Sequence, residues 1–416
     1  MESPFFSIII PTRNRYETLF HTMRTVLCQD FGSFELVISD NSDEDSLPRI
    51  GVINEYLKDD RVRYYRPPGV LSMSDSWEFA VSKSTGEYII LFGDDDGLVA
   101  GSLRRMHDII TSTNAEILSW TRVEYSWPER TPKEAYSNLM IIPYTSKTGL
   151  IDSEKYIKHI VSFKADYRLL PMFYNSAISR KMTELLKAKA GRLFNASSPD
   201  VFTGYAFAHM LGKYITIGYP LSINGVSAKS NGAVHDNGDE LKKEHWDLLK
   251  KSEIKWPSEL PHFYTAYLGI IEPFIQLTKY FPELNKYISR KEVYKNIVDH
   301  LDSANKEDLE EKITVILSSA ENDKRLHKWL AGYLNTNRPQ HRTDPLHNVK
   351  SRVGFNGSHL ILDASDFGLN NVYDVSIFIG NLFGELKEKN YLKPVSHSFI
   401  KKAKKAAGIL LRNDAF

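Results

Sequence analysis

Apolar and polar positions come in short blocks over the first quarter of the chain, and the period changes from block to block. Phe6 to Ile10 is a nearly continuous β-rich apolar run, the pattern of a strand covered on both faces, and Tyr16 to Leu27 then repeats at helical spacing. A second strand is expected at Glu35 to Ser39 and a helix near Leu47 to Leu57. Two further strands, Val62 to Tyr65 and Tyr88 to Phe92, flank a helix around Met73 to Lys83, and another helix starts near Ser102. Strands alternating with helices are the signature of βαβ units, so an α/β fold with a mostly parallel central sheet is expected.

Strand-like pieces at Glu116 to Trp120, Ala177 to Ser179 and Tyr214 to Ile217 complete this part, and the turn-rich stretch Ser227 to Asp239 closes it. Beyond it the pattern becomes helical. Pro261 to Phe281 places Phe263, Tyr267, Ile270, Phe274 and Leu277 at helical spacing, with Pro273 expected to kink it. Amphipathic segments follow at Arg290 to Leu301, Lys306 to Leu317 and Lys324 to Leu334, then a polar stretch at 335–348 and an apolar helix near Val372 to Leu386. The expected organisation is a catalytic domain over 1–235 and a mainly helical C-terminal domain over 240–416, with a sub-boundary near 335–348.

Composition narrows the class. The 416 residues are 42% hydrophobic and 25% charged, as in globular proteins with sizeable cores. Lys plus Arg number 53 against 52 Asp plus Glu, so no global field draws the chain to nucleic acid. A single cysteine, Cys28, excludes an intramolecular disulfide and every multi-cysteine zinc pattern, and fits a reducing, cytoplasmic setting. No signal-peptide core or membrane span stands out.

In open α/β sheets ligands bind beyond the carboxyl ends of the strands, so the residues that follow each strand carry the information. After the first strand comes Pro11-Thr-Arg-Asn-Arg15, after the second Asp40-Asn-Ser-Asp43, after the fourth Gly93-Asp-Asp-Asp-Gly97, and all three should meet on one rim. Three consecutive acids repel one another without a cation, and a carboxylate-held divalent metal is well suited to stabilise a leaving diphosphate. The alternative is an acidic turn capping the next helix.

These three blocks, Ser7-Ile-Ile-Ile-Pro-Thr-Arg-Asn-Arg15, Phe34-Glu-Leu-Val-Ile-Ser-Asp-Asn-Ser42 and Gly86-Glu-Tyr-Ile-Ile-Leu-Phe-Gly-Asp-Asp-Asp96, resemble in order and spacing the family 2 glycosyltransferases of GT-A fold. The likeness covers about residues 5–235. It implies an inverting transfer from a nucleotide-activated sugar, a UDP-sugar being the first choice, to a hydroxyl of a glycan or lipid-linked acceptor, assisted by Mn2+ or Mg2+. Carried over by position, it sets Pro11, Thr12 and Arg13 beside the nucleotide, Asp40 on the base and Asp94 at the ribose or metal, with Asp95 as the principal metal ligand and Asp96 beside it. Gly93 stands where the commoner motif has its first acid, and Leu71-Ser-Met-Ser-Asp-Ser-Trp-Glu78 replaces a small-residue segment ending in Arg-Asn. Trp77 either stacks on a base or sugar or anchors its helix in the core, and Asp75 and Glu78 are either substrate ligands or helix N-terminal acids.

Inversion needs a general base near the acceptor hydroxyl. The family-like place for it, an acidic motif at a helix start, falls on Ser197-Ser-Pro-Asp200, so Asp200 is the candidate base; its alternative role is to satisfy helix N-terminal amides. Lys229 is a candidate phosphate ligand and His235 an additional metal ligand, or both are ordinary loop residues. The basic segment Phe399 to Arg412 can rest on an anionic membrane surface as an amphipathic helix, which would make the protein peripheral at the inner face. A metal-dependent nucleotidyltransferase and a non-catalytic sugar-nucleotide-binding scaffold are the competing readings; the first would need a Gly-rich triphosphate loop, and Thr12 to Arg15 contains no glycine.

Overall fold

A computed structural model describes residues 3–130, 136–143, 149–230, 247–301, 306–339, 354–355 and 359–384. The chain begins with β1 (Phe6–Thr12), α1 (Tyr16–Leu27), β2 (Phe34–Asp40), β3 (Val62–Tyr65), α2 (Met73–Ser82), β4 (Tyr88–Leu91), β5 (Gly97–Leu98) and α3 (Ser102–Thr113). Every residue of β1 and β2 is buried, which accounts for their unbroken apolar runs. The expected helix near Leu47 to Leu57 is instead two 3-10 segments, Glu44–Ile53 and Tyr56–Lys58. Pro48 and Gly51 inside the first disfavour a regular α-helix.

Then come β6 (Ile117–Ser126), β7 (Leu139–Pro143), β8 (Gly149–Asp152), α4 (Ser153–Val161), β9 (Ser176–Ser179), α5 (Arg180–Ala190), α6 (Pro199–Leu211) and β10 (Lys213–Val226). The last part holds α7 (Leu268–Thr278), α8 (Arg290–Asp299), α9 (Lys306–Ser319), α10 (Lys324–Thr336), β11 (Gly354–Phe355), β12 (His359–Asp363) and α11 (Val372–Gly384). The helix expected from Pro261 starts only at Leu268, whose amide is capped by the Thr265 hydroxyl at 3.1 Å. Among the described residues no helix is long and apolar enough to cross a membrane.

The strands form one sheet in the order β11-β12-β7-β6-β9-β4-β1-β2-β3, with β10 along β6. Pairing is parallel through β3-β2-β1-β4 and between β6 and β10, and antiparallel at β9, β7, β12 and β11. The sheet is therefore mixed, with its parallel pairing concentrated in the N-terminal strands. Because β9 runs against both β4 and β6, β6 and β10 still point the same way as β1. The carboxyl ends of β1, β2, β4, β6 and β10 consequently reach one rim.

Alternation along β1 assigns the two faces. Ile8 and Ile10 join Tyr16, Leu19 and Met23 of α1 on one face, while Ile9 joins Trp77 and Ala80 of α2 on the other. The second cluster continues through Phe202 of α6, Phe274 of α7 and Ile297 of α8 to Leu330 of α10. A third cluster packs Leu360 and Leu362 of β12 and Val375 and Ile379 of α11 against Val123 and Ile223 of β6 and β10. The helices beyond residue 240 thus share a core with the sheet. Each large apolar side chain so buried contributes about 1.5–3 kcal/mol.

Candidate active site

The rim is built around the turn after β4. A Cβ at position 93 would lie 3.1 Å from Asp95 Oδ1 and 3.2 Å from Asp96 Oδ2, so glycine lets both carboxylates fold back over the strand end. This is the local reason for Gly93 in place of an acid. From α1, the Thr22 hydroxyl lies 2.9 Å from the Asp94 carbonyl and 2.7 Å from that of Asp96, clamping the turn from one side. From β10, the Gly225 amide donates to Asp96 Oδ1 at 2.8 Å, and the Ser227 hydroxyl and amide donate to Asp95 Oδ2 at 2.6 and 3.2 Å. The Gly93 amide takes the remaining Asp96 oxygen at 2.7 Å.

The three acids are 0%, 4% and 5% exposed in chain order. Burial raises the Asp94 pKa to about 6 against the opposing pull of the Arg15 charge, and burial together with the Asp95 charge holds Asp96 well above the usual carboxylate range. Arg15 is the cation that the turn already contains. Its guanidinium stands 2.9 Å from Asp94 Oδ1, 3.1 Å from Asp94 Oδ2 and 3.6 Å from Asp95 Oδ2. Burial opposes its charge, but the surrounding carboxylates prevail and raise its pKa. The Thr12 hydroxyl adds a 2.5 Å hydrogen bond to Asp94.

Arg15 was not among the residues expected in the site, whereas Arg13 was. The backbone sets the two apart: Asn14 takes a left-handed φ of 59°, so Arg13, in the first cleft, faces Asp43 at 3.4 Å while Arg15 turns to the acids. Asn14 fixes the turn by accepting the Asp43 amide at 3.0 Å and donating to its carboxylate at 2.6 Å.

Two clefts open on the rim. The first, about 480 Å³, is lined by Pro11, Thr12, Arg13, Asn41, Leu71 and Lys229 among others; the second, about 360 Å³, by Asp95, Asp96, Arg122, Tyr167, Asp200 and Tyr264. Arg15, Met73, Trp77, Gly93 and Tyr174 line both, so the clefts meet beside the acidic turn. Asp200 lies in the first turn of α6 behind Pro199, and no side-chain cap bond from Ser198 precedes it. Burial raises its pKa, partly offset by the Val201 amide and the Arg122 charge. Arg122, on β6, stands over the Tyr174 ring at 6.0 Å and has no ion-pair or hydrogen-bond partner among the described residues. It is the second basic residue that the pattern along the chain did not single out.

The other expected residues fall as follows. Pro11, Thr12, Arg13, Trp77 and Lys229 line the first cleft. Trp77 is 4% exposed, edge-on to Tyr174 and Phe194, so most of its ring serves the core and only its margin reaches the clefts. Lys229 is exposed, and its carbonyl accepts from Arg15 Nη1 at 3.3 Å. Asp40 does not line either cleft. It is wholly buried, with Oδ2 accepting from Tyr16 and Tyr64 at 2.6 and 2.5 Å and Oδ1 from the Ser42 amide at 3.0 Å. Its neighbour Asn41 lines the cleft instead and exchanges two hydrogen bonds with the Leu71 backbone. Asp75 and Glu78 face Arg192 at 2.6 and 3.8 Å, away from the two clefts. His235 and the basic segment Phe399 to Arg412 lie outside the described residues. Among the described residues, no group of three or more His, Cys, Asp or Glu side chains converges so as to hold a metal ion.

A one-directional set of strands, an acidic turn at their carboxyl rim and a cleft on either side of it define a GT-A-type domain. Residues 7–171 match the family model described as Glycosyl transferase family 2, and this segment is a family 2 glycosyltransferase domain. Over 101 residues, 24% of this chain and 32% of the relative, the chain is 29% identical to a GalNAc(5)-diNAcBac-PP-undecaprenol β-1,3-glucosyltransferase of Campylobacter jejuni. Over 101 residues it is also 36% identical to the uncharacterized protein y4gI of Sinorhizobium fredii, covering 24% of this chain and 11% of that one. The chain thus spans a third or less of the length of these curated relatives. Among solved structures, Staphylococcus aureus TarS 1-349 in complex with UDP-GlcNAc is similar at a TM-score of 0.44 and 11% identity, over 80% of this chain and 91% of that one. The mannosyltransferase PcManGT from Pyrobaculum calidifontis, in complex with GDP-Man and Mn2+, is similar at 0.38 and 14%, over 81% and 86%.

Proposed function

We propose that the chain is an inverting glycosyltransferase that moves a sugar from a nucleoside-diphosphate donor to a hydroxyl of a glycan or lipid-linked acceptor. The observation that carries this reading is the meeting of two clefts beside the acidic turn, with the candidate base Asp200 in the second only. The donor's nucleotide lies in the first cleft against Pro11, Thr12 and Arg13, and Arg15 and Lys229 bring positive charge to its diphosphate. The acceptor lies in the second. Asp200 takes the proton of the acceptor hydroxyl as that oxygen attacks the anomeric carbon, and the nucleoside diphosphate departs with the bonding electron pair. A carboxyl held above its ordinary pKa is a stronger base once ionised, which suits this role.

The turn offers hard carboxylate oxygens of the type that Mn2+ or Mg2+ takes, although its three side chains do not converge on one point, and the buried Asp94 Oδ1 receives no hydrogen bond, only the Arg15 charge. Asp95 is the principal candidate to hold such an ion, since both oxygens of Asp96 are engaged by backbone amides. When bound, the ion supplies positive charge to the leaving diphosphate. A lipid-linked acceptor is suggested by the name of the Campylobacter relative, which specifies an undecaprenol-PP glycan. Such an acceptor would bring the protein to the cytoplasmic face of a membrane, with the basic segment 396–416 as its contact. The reading is tested by screening a panel of UDP-, GDP-, CDP- and TDP-sugars for manganese-dependent release of free nucleotide. Release from none of them, with and without lipid-linked glycan, would refute it.

A further inference from the structure

Asp200 is delivered to its cleft by a segment, 191–198, that has no regular secondary structure and is held by side chains from two helices. From α2, the Ser74 hydroxyl donates to the Ala196 carbonyl at 2.6 Å, and the Glu78 carboxylate accepts the Leu193 and Phe194 amides at 2.9 and 3.1 Å. From α7, Glu272 Oε2 accepts both the amide and the hydroxyl of Ser197, at 3.0 and 2.7 Å. Glu272 is 0% exposed and, among the described residues, has no ion pair. Its other oxygen accepts Gln276 Nε2 at 2.8 Å, and that amide also donates to the Lys255 carbonyl at 2.8 Å.

A carboxylate buried with no ion-pair partner and only the Lys279 charge acting on it from beyond ion-pair distance is costly, and a well-packed apolar side chain would serve stability better. Three donated hydrogen bonds offset the penalty, and two of them come from one residue at the foot of α6. The same helix contributes Gly269 and Ile270 to the second cleft, and a Cβ at Gly269 would meet the Tyr264 hydroxyl of that cleft at 2.7 Å. One wall of the cleft and the anchor of the Asp200 segment are therefore a single helix.

We infer that Glu272 is a positioning residue for transfer: by fixing Ser197 it sets the place of Asp200 in the acceptor cleft and ties the C-terminal helices to the chemistry. The inference rests on the reading of Asp200 as the base.

The test compares Glu272→Ala, Glu272→Gln and Asp200→Asn in the full chain, using the sugar nucleotide that scores in the panel, with hydrogen exchange across 192–202 as a readout besides activity. Misplacing a reacting group by about 1 Å can cost about a hundredfold, so Glu272→Ala should lower kcat roughly ten- to a hundredfold while KM for the donor stays within about threefold. Exchange across 192–202 should rise. Glu272→Gln, whose Oε1 still accepts from Ser197 while its Nε2 must face the Gln276 amide donor, should recover part of the rate lost in Glu272→Ala. A kcat for Glu272→Ala within about threefold of the parent, or a Gln variant no better than Ala, overturns the inference while leaving the base reading intact. Full turnover in Asp200→Asn overturns the base reading itself. Should Glu272→Ala fail to fold, Glu272→Asp decides the matter: its carboxylate is drawn back from Ser197, so a several-fold loss of kcat supports the role and parental turnover overturns it.

Discussion

Gly225 passes so close to the acidic turn that a Cβ there would stand 1.7 Å from the backbone oxygen of Asp95. The approach lets the Gly225 amide reach Asp96 and brings Ser227 onto Asp95. Gly225→Ala must push β10 away from the turn, and overpacking of this kind typically costs about 1–3 kcal/mol. We expect a lower melting temperature together with loss of manganese-dependent nucleotide release. A variant that melts and turns over like the parent would show that the two segments need no such contact.

The neighbouring carboxylates Asp95 and Asp96 should respond differently to substitution. Both oxygens of Asp96 accept backbone amides, so in Asp96→Asn the new NH2 group must face a donor, leaving an unsatisfied pair worth about 1–3 kcal/mol of stability. Asp95→Ala relieves a crowded anionic cluster but leaves the buried Ser227 amide and hydroxyl without their acceptor, so it should lower the melting temperature only modestly while abolishing metal-dependent turnover. Denaturant titration of both variants beside nucleotide-release assays separates the roles. The reverse pattern, with Asp95→Ala unfolded and Asp96→Asn stable but inactive, would exchange the two assignments.

How far this site was legible along the chain depends on how local each determinant is. The ends of α1 are read correctly because helical period and the flanking polar residues are local signals, and the all-apolar runs of β1 and β2 mark strands buried on both faces. The short strands β7 and β12 are not legible, since they pair only with each other and with β6 or β11 across long stretches of chain. Asp40 shows the same limit within the site. Its register partner is Thr12, so it reaches the expected rim, but Tyr16 and Tyr64 arrive from other elements and take its Oδ2. That Arg15 joins the acids beside Arg13 in the cleft turns on one dihedral angle, that of Asn14, which no periodicity reveals.

Arg15 supplies the charge that balances Asp94, with a fork that reaches both of its oxygens. Removing one partner of a buried ion pair costs about 3–5 kcal/mol, so Arg15→Ala should be the least stable of the site variants in urea titration at neutral pH. Arg15→Lys retains the charge but offers a single ammonium in place of the fork, and should recover part of the stability and less of the nucleotide affinity. Equal stability of Arg15→Ala and the parent would mean that the acids are protonated or otherwise neutralised without it.

Asp200 makes a prediction in which rate and stability move in opposite directions. As the base it must be ionised, and because burial raises its pKa, kcat should fall with decreasing pH through a point above the ordinary aspartate value of about 3.9. The Arg122 charge lowers that pKa, so Arg122→Gln should move the acid limb of the profile to higher pH. For stability the sign runs the other way. An aspartate whose folded pKa lies above its unfolded value loses stability as pH rises from the unfolded value through the folded one, so at neutral pH the ionised Asp200 is a burden on the fold. Asp200→Asn removes that burden and keeps a good helix N-terminal residue. It should therefore melt no lower than the parent at pH 7, while its turnover falls by about the 10²- to 10⁴-fold that general-base catalysis is worth. Turnover near that of the parent, or an acid limb unmoved by Arg122→Gln, would take the proton transfer away from Asp200.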